Sequence, residues 1–139
     1  MGNLKMRQKV GIVVLTYNSL SKIGEDTFRK ILSRILGIDY ENCKIIFVDN
    51  NSKDSTPEFI SRFISSMRSQ EHLKCDAEVL KLDRNYGWSG GNNRAAVLLK
   101  DTKYLLFLND DVIVEPDIVS KLVDIMEKNP ILVLLSQSL

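Results

Sequence analysis

The segment Val10-Gly11-Ile12-Val13-Val14-Leu15-Thr16-Tyr17-Asn18 decides the fold. Val10 to Leu15 is an unbroken apolar run, rich in β-branched residues and bounded by polar ones. It shows no polar–apolar alternation, so it suits a strand buried on both faces, as in a parallel sheet between two layers of helices. Working outward, similar runs return at Lys44–Val48, Glu78–Leu82 and Tyr104–Leu108, each preceded by a helical pattern. Phe28, Ile31, Leu32, Ile35 and Leu36 recur at helical spacing, and Gly37 supplies a stop. Ser55 and Glu58 have the spacing of a capping box with Pro57 in the first turn, and the helix they open aligns Phe59, Ile60, Phe63, Ile64 and Met67. The Gly-rich stretch Asp83–Gly91 reads as a loop leading into a helix around Asn93 to Leu99. Pro116 and Asp117 open a last helix carrying Ile118, Leu122, Ile125 and Met126, which Asn129 and Pro130 stop. Four strand–helix alternations predict an α/β fold: a mostly parallel, Rossmann-like sheet with helices on both faces, one domain over residues 1–139.

Composition narrows the function. At 139 residues, 44% hydrophobic and 27% charged, the chain has the balance of a soluble globular domain. Nineteen Lys and Arg face 18 Asp and Glu, and a net charge of +1 lacks the basic excess of a dedicated nucleic-acid binder. Lys5, Arg7 and Lys9 precede the first apolar run, but that run is too short for a signal-peptide core or a membrane span. The expectation is a cytoplasmic protein without a transmembrane segment, free or peripheral to a membrane. Cys43 and Cys75 form no CxxC spacing and are expected to be free structural thiols. His72 has no second His or Cys at ligand spacing and carries no chemistry.

In an open parallel sheet, ligands sit beyond the carboxyl ends of the strands. That rule selects Thr16, Tyr17 and Asn18 after the first strand, and Asp49, Asn50, Asn51 and Ser52 after the second. It selects Arg84, Asn85, Gly87, Gly90, Gly91, Asn92 and Asn93 after the third, then Asn109, Asp110 and Asp111 after the fourth. Together they offer an aromatic, amides, carboxylates and glycines, a set that suits a base, a ribose and phosphates. Each group alone has a plainer reading. Asp49 to Ser52 can be turn chemistry, the glycines can merely shape a loop, and Asp110 and Asp111 can be a solvated turn pair. Two adjacent carboxylates repel unless a cation or donors neutralise them. It is the coincidence of all four groups that points to a ligand.

These residues also form a recognisable series. Val13-Val14-Leu15-Thr16-Tyr17-Asn18 and Val48-Asp49-Asn50-Asn51-Ser52-Lys53-Asp54 resemble the opening of family-2 glycosyltransferases of the GT-A fold. Asn85-Tyr86-Gly87-Trp88-Ser89-Gly90-Gly91-Asn92-Asn93 is similar to that family's Asn-x-Gly-x-x-Gly-Gly-Asn segment, and Leu108-Asn109-Asp110-Asp111 stands where it keeps an Asp-x-Asp motif. The flavour resembles the rhamnosyltransferase-like branch. The resemblance implies transfer of a sugar, with inversion, from a nucleotide-diphosphate sugar to an acceptor. It places Tyr17 against the base, Asp49 at the base edge, and Arg84 and Asn85 beside the nucleotide. Gly90, Gly91 and Asn92 let backbone approach it, and Thr16, Asn18 and Asn51 complete the nucleotide-binding set. Asp111 would ligate Mg²⁺ or Mn²⁺ on the diphosphate, and Asp110 would reach the ribose or the metal shell. Asn109 replaces the motif's first acidic residue, which puts the ribose role in doubt more than the metal role.

Other classes of sheet protein fit less well. A nucleotidyltransferase would need a Gly-rich, Arg-containing loop after the first strand, a receiver module an acidic pair there, and a dinucleotide-binding dehydrogenase GxGxxG there. Thr16-Tyr17-Asn18 supplies none of these. The family's general base has no counterpart, because no carboxylate follows Glu127. The chain therefore reads as the nucleotide-sugar-binding portion of such an enzyme, truncated before the acceptor half and expected to bind more readily than it transfers. Ile131–Leu139 is apolar then Ser-rich without regular spacing, the mark of a frameshifted tail or of a cut boundary. Self-association through exposed sheet or tail is expected.

Overall fold

The computed structural model describes residues 6–129. Lys5, the expected stop at Pro130 and the tail 131–139 lie outside the described residues. Four strands, β1 (Val10–Thr16), β2 (Cys43–Asp49), β3 (Asp76–Lys81) and β4 (Tyr104–Leu108), form one sheet in the order β3-β2-β1-β4 with every pairing parallel. Five helices connect and cover them: α1 (Ser19–Ile23), α2 (Glu25–Leu36), α3 (Thr56–Ser69), α4 (Gly87–Ala96) and α5 (Ile118–Lys128). The α/β, GT-A-like expectation holds.

Two cores explain why β1 and β2 read as continuous apolar runs. On one face Ile12, Val14, Ile45 and Phe47 pack with Phe28, Leu32 and Ile35 of α2, Ile60 of α3 and Val119 of α5. On the other, Val13, Ile46 and Val48 meet Ala95 of α4 and Leu99. Central strands buried on both faces have no polar side to alternate with. The edge strand β4 is different. Tyr104, Leu106 and Leu108 lie against the first core, while Leu105 and Phe107 on the opposite face stay 43% and 36% exposed. Among the described residues no helix is long and apolar enough to cross a membrane.

Three details depart from the sequence reading. Cys43 and Cys75 are not free thiols: they are joined as a disulfide, with their Cα atoms 4.8 Å apart. The cause is strand register. Lys44 pairs with Asp76 in the parallel β2–β3 ladder, so Cys43, the first residue of β2, and Cys75, just before β3, stand side by side.

Second, Ser55 makes no side-chain cap bond to α3. Asp54 takes that place, its Oδ1 accepting from the Thr56 amide at 3.0 Å and from the Thr56 hydroxyl, while its Oδ2 accepts from the Ser21 amide and hydroxyl at 3.0 and 2.8 Å. The Glu58 carboxylate turns to its own backbone amide and to Lys81 rather than back to Ser55.

Third, the Gly-rich stretch is not all loop. Helix α4 starts at Gly87 and takes in Gly90 and Gly91 before a short 3₁₀ turn at Val97–Leu99.

Candidate functional site

The strand order reverses at β1: β2 and β3 lie to one side of it, and β4, parallel to the rest, to the other. In such sheets the crevice beyond the carboxyl ends at the reversal is where ligands bind. Side chains from all four strand ends meet there through hydrogen bonds.

The centre of the network is Asp49, the last residue of β2 and only 1% exposed. Its Oδ1 accepts from the Thr16 hydroxyl at 2.8 Å and the Ser52 hydroxyl at 2.6 Å, and its Oδ2 from the Ser52 amide at 2.8 Å. A buried carboxylate is tolerable only when donors of this kind surround it. Oδ2 keeps acceptor capacity for one further donor. Register sets this up: Thr16 and Asp49 are direct partners in the β1–β2 ladder.

Asn18 extends the link between these two loops. It adopts a left-handed backbone (φ 51°, ψ 31°), donates its amide to Ser52 Oγ at 2.8 Å, and accepts the Lys53 amide on Oδ1 at 2.7 Å. Asn51 is also left-handed, at φ 63°. Asparagine tolerates this conformation better than most residues, which is the physical reason both loops carry it. Tyr17 lies between Thr16 and Asn18, partly exposed.

Asn50 joins the β2 end to the third loop. The side chain of this 2%-exposed residue accepts the Tyr86 amide at 3.1 Å and donates to the Gly87 carbonyl at 3.0 Å, clamping the entry to α4. Asn85 Oδ1 accepts the Gly87 amide at 2.8 Å. Gly91 packs so closely on this clamp that an added Cβ would stand 2.6 Å from Leu15 Cδ1 and 3.1 Å from both amide atoms of Asn50. Gly90 is partly exposed on the same helix, and its carbonyl accepts from Arg94 at 3.1 Å. Arg84 is exposed, its guanidinium 5.3 Å from the centre of the Tyr86 ring. Asn92 is 3% exposed, and neither polar atom of its amide has a hydrogen-bond partner. A buried amide left that way costs roughly 1–3 kcal/mol per unmet group.

The fourth strand end is tied in by Ser19, fully buried at the start of α1, whose hydroxyl donates to Asp110 Oδ2 at 2.5 Å. Asp111, next in sequence, is exposed. Among the described residues no three His, Cys, Asp or Glu side chains gather to hold a metal ion. Two adjacent carboxylates nevertheless fit a hard cation such as Mg²⁺, which commonly takes one or two protein carboxylates and completes its shell from phosphate oxygens and water.

Thr16, Asn18 and Asp49 are thus linked directly or through Ser52, Asn85 and Gly91 meet at the Asn50–Gly87 clamp, and Asp110 is tied to Ser19, whereas Arg84 and Asp111 are exposed. Sequence reasoning selected Asn50 and Ser52 as strand-end positions but gave them no role, and it missed Ser19, one residue beyond the Thr16-Tyr17-Asn18 group.

Similarities to known proteins agree with this fold. A comparison with curated protein sequences returns no match. Among solved structures, S. aureus TarS 1-349 in complex with UDP-GlcNAc superposes with a TM-score of 0.64 at 21% identity, over 88% of this chain and 32% of that one. TarS 1-349 in complex with UDP gives the same TM-score and identity, over 88% and 33%. The longer S. aureus TarS structure gives 0.63 at 21%, over 86% and 20%. This chain therefore spans about a third of the shorter TarS structures, and at that identity the likeness is one of fold. The family model described as "Glycosyl transferase family 2" matches residues 11–138, so the chain belongs to glycosyl transferase family 2.

Proposed function

We propose that this chain binds a nucleotide-diphosphate sugar at the carboxyl ends of its four strands and serves the transfer of that sugar to an acceptor. One observation carries the reading: the hydrogen-bond network centred on Asp49 and Asn50, with the Ser19–Asp110 link, holds four separate loops as one edge. A preformed polar edge needs little rearrangement to receive a ligand. In this reading Tyr17 lies along the base, the remaining acceptor capacity of Asp49 faces the base edge, and Arg84 and Asn85 flank the nucleotide. Thr16, Asn18 and Asn51 hold the loops that surround it, while Gly90, Gly91 and Asn92 present α4. Asp111, helped by Asp110, would hold Mg²⁺ or Mn²⁺. When bound, that cation offsets the negative charge that develops on the departing nucleoside diphosphate.

Transfer, inversion and the acceptor belong to the proposal, as do a cytoplasmic setting and the competing reading of a nucleotide-sugar-binding module without transfer. The TarS structures with UDP and UDP-GlcNAc make UDP the first nucleotide to try.

The test is calorimetric titration of UDP, GDP and dTDP, with and without Mn²⁺, on the wild type and Asp111→Ala. Metal-enhanced binding of one nucleotide, lost in the variant, is the expected result. A folded sample that binds none of them overturns the proposal.

A further inference from the structure

Trp88 is the only tryptophan of the chain and is 60% exposed, on the first turn of α4. Isolated exposed apolar side chains are ordinary, so exposure alone decides nothing. Its position does. The residue before it, Gly87, has its carbonyl held by Asn50 and its amide by Asn85, so the backbone that carries the indole is fixed to the strand-end network. Gly87 sits at φ +76°, a conformation that favours glycine, and a Cβ added there would meet nothing within 4 Å. Trp88 follows this clamped glycine directly, and most of its side chain is open to solvent.

The neighbouring aromatic is already occupied. Arg94 stands 3.4 Å from the centre of the Tyr86 ring and Arg84 5.3 Å from it, and the Tyr86 hydroxyl donates to Asp83 at 2.5 Å. Among the described residues no such partner covers the indole, and a rigid aromatic surface on a fixed backbone is well suited to stack on a ligand at little entropic cost. In a nucleotide sugar, phosphates gain nothing from an indole face. A pyranose ring does, because one of its faces presents mainly C–H groups.

Resting on the nucleotide-sugar reading above, we propose that Trp88 is a saccharide platform: its indole stacks on the sugar ring of the donor and discriminates nucleotide sugar from free nucleotide. As the chain has no other tryptophan, its fluorescence reports this contact directly.

The experiment titrates the protein in the presence of Mn²⁺ with matched pairs: UDP and UDP-GlcNAc, GDP and GDP-mannose, dTDP and dTDP-rhamnose. Affinity is read by calorimetry and the indole by emission. The expected result is an emission change with a sugar-bearing ligand that its free nucleotide does not produce. Trp88→Ala should weaken that nucleotide sugar about tenfold while leaving the nucleotide within about twofold, with Trp88→Phe between. As Trp88 is exposed, an unchanged unfolding midpoint shows that the variants remain folded. An equal emission change with the free nucleotide assigns the indole to base or ribose and overturns the inference. So does calorimetric binding without any emission change, or a response to free N-acetylglucosamine alone, which marks an acceptor surface instead. Binding of none of the six ligands overturns the inference together with the reading on which it rests.

Discussion

Reducing the Cys43–Cys75 bridge removes a cross-link between residues 32 apart in sequence. In the chain-entropy description, closing a loop of that length lowers the entropy of the unfolded chain enough to stabilise the fold by about 3.7 kcal/mol at 25 °C, a factor of roughly 500 in the folding equilibrium. For 139 residues the entropy of unfolding is about 0.29 kcal/mol per kelvin, so the midpoint should fall by about 13 °C on reduction. Both sulfur-bearing residues are buried, at 6% and 1% exposure, and the bridge lies at the end of β2 and β3 opposite the site. The loss should therefore appear in stability and leave the strand-end network in place. The assay is thermal unfolding by circular dichroism with and without a phosphine reductant, beside a Cys43→Ala/Cys75→Ala double variant that the reductant should not affect. Thiol titration of the denatured, unreduced protein should find none. Two titratable thiols and coincident melting curves would refute the pairing and restore the free-thiol reading.

Other expectations follow from the same geometry. Gly91→Ala forces a Cβ against Leu15 and the Asn50 amide; it should cost about 1–3 kcal/mol in urea unfolding and weaken nucleotide binding. Thr16→Val leaves the buried Asp49 carboxylate one donor short, with an expected loss of about 1–3 kcal/mol read from the urea midpoint. Asp54 supplies a pH test: burial pushes its carboxyl up, but hydrogen bonds from Thr56 and Ser21 outweigh it and hold the group below its usual range. A lowered folded value stabilises the fold above the ordinary Asp pKa of about 4, and that stability is lost as pH falls through the folded value. Asp54→Asn should lose stability at pH 7 and show a shallower acid limb than the wild type. Finally, the exposed Leu105 and Phe107 beside the edge of β4 should drive self-association. Light scattering should show mass rising with concentration, and Phe107→Lys should reduce it.

How much of this was legible in the sequence depends on whether local pattern or distant pairing decides a residue's place. Strand β4 matches its apolar run residue for residue, and the other three fall within two residues at each end, because burial on one or both faces writes itself into the sequence. Helix α1 escaped notice: five residues are too few for a period, and it begins from a left-handed Asn18. The start of α4 was misplaced because glycines weaken a helical pattern, while the Asn50 clamp on Tyr86 and Gly87 acts from 36 and 37 residues away. Similarly, Ser55 and Glu58 had capping spacing, but Ser21 from another helix helped recruit Asp54 instead. The strand-end residues were found by the rule for parallel sheets. Their bonds, such as Thr16 to Asp49 and Ser19 to Asp110, depend on register and strand order, which no local spacing records. The disulfide belongs with them: Cys43 and Cys75 were each seen to precede a strand, and only the β2–β3 pairing makes them neighbours.

The central claim is that a nucleotide sugar is received at the joined ends of the four strands. Amide chemical-shift mapping of the isotope-labelled protein during titration with UDP and diamagnetic Mg²⁺ tests it most directly. The account predicts shifts concentrated in residues 16–19, 49–52, 84–92 and 109–111. Shifts centred instead on the groove of about 350 Å³ between α2 and α3, lined by Arg29, Phe59, Arg62 and Phe63, would contradict it.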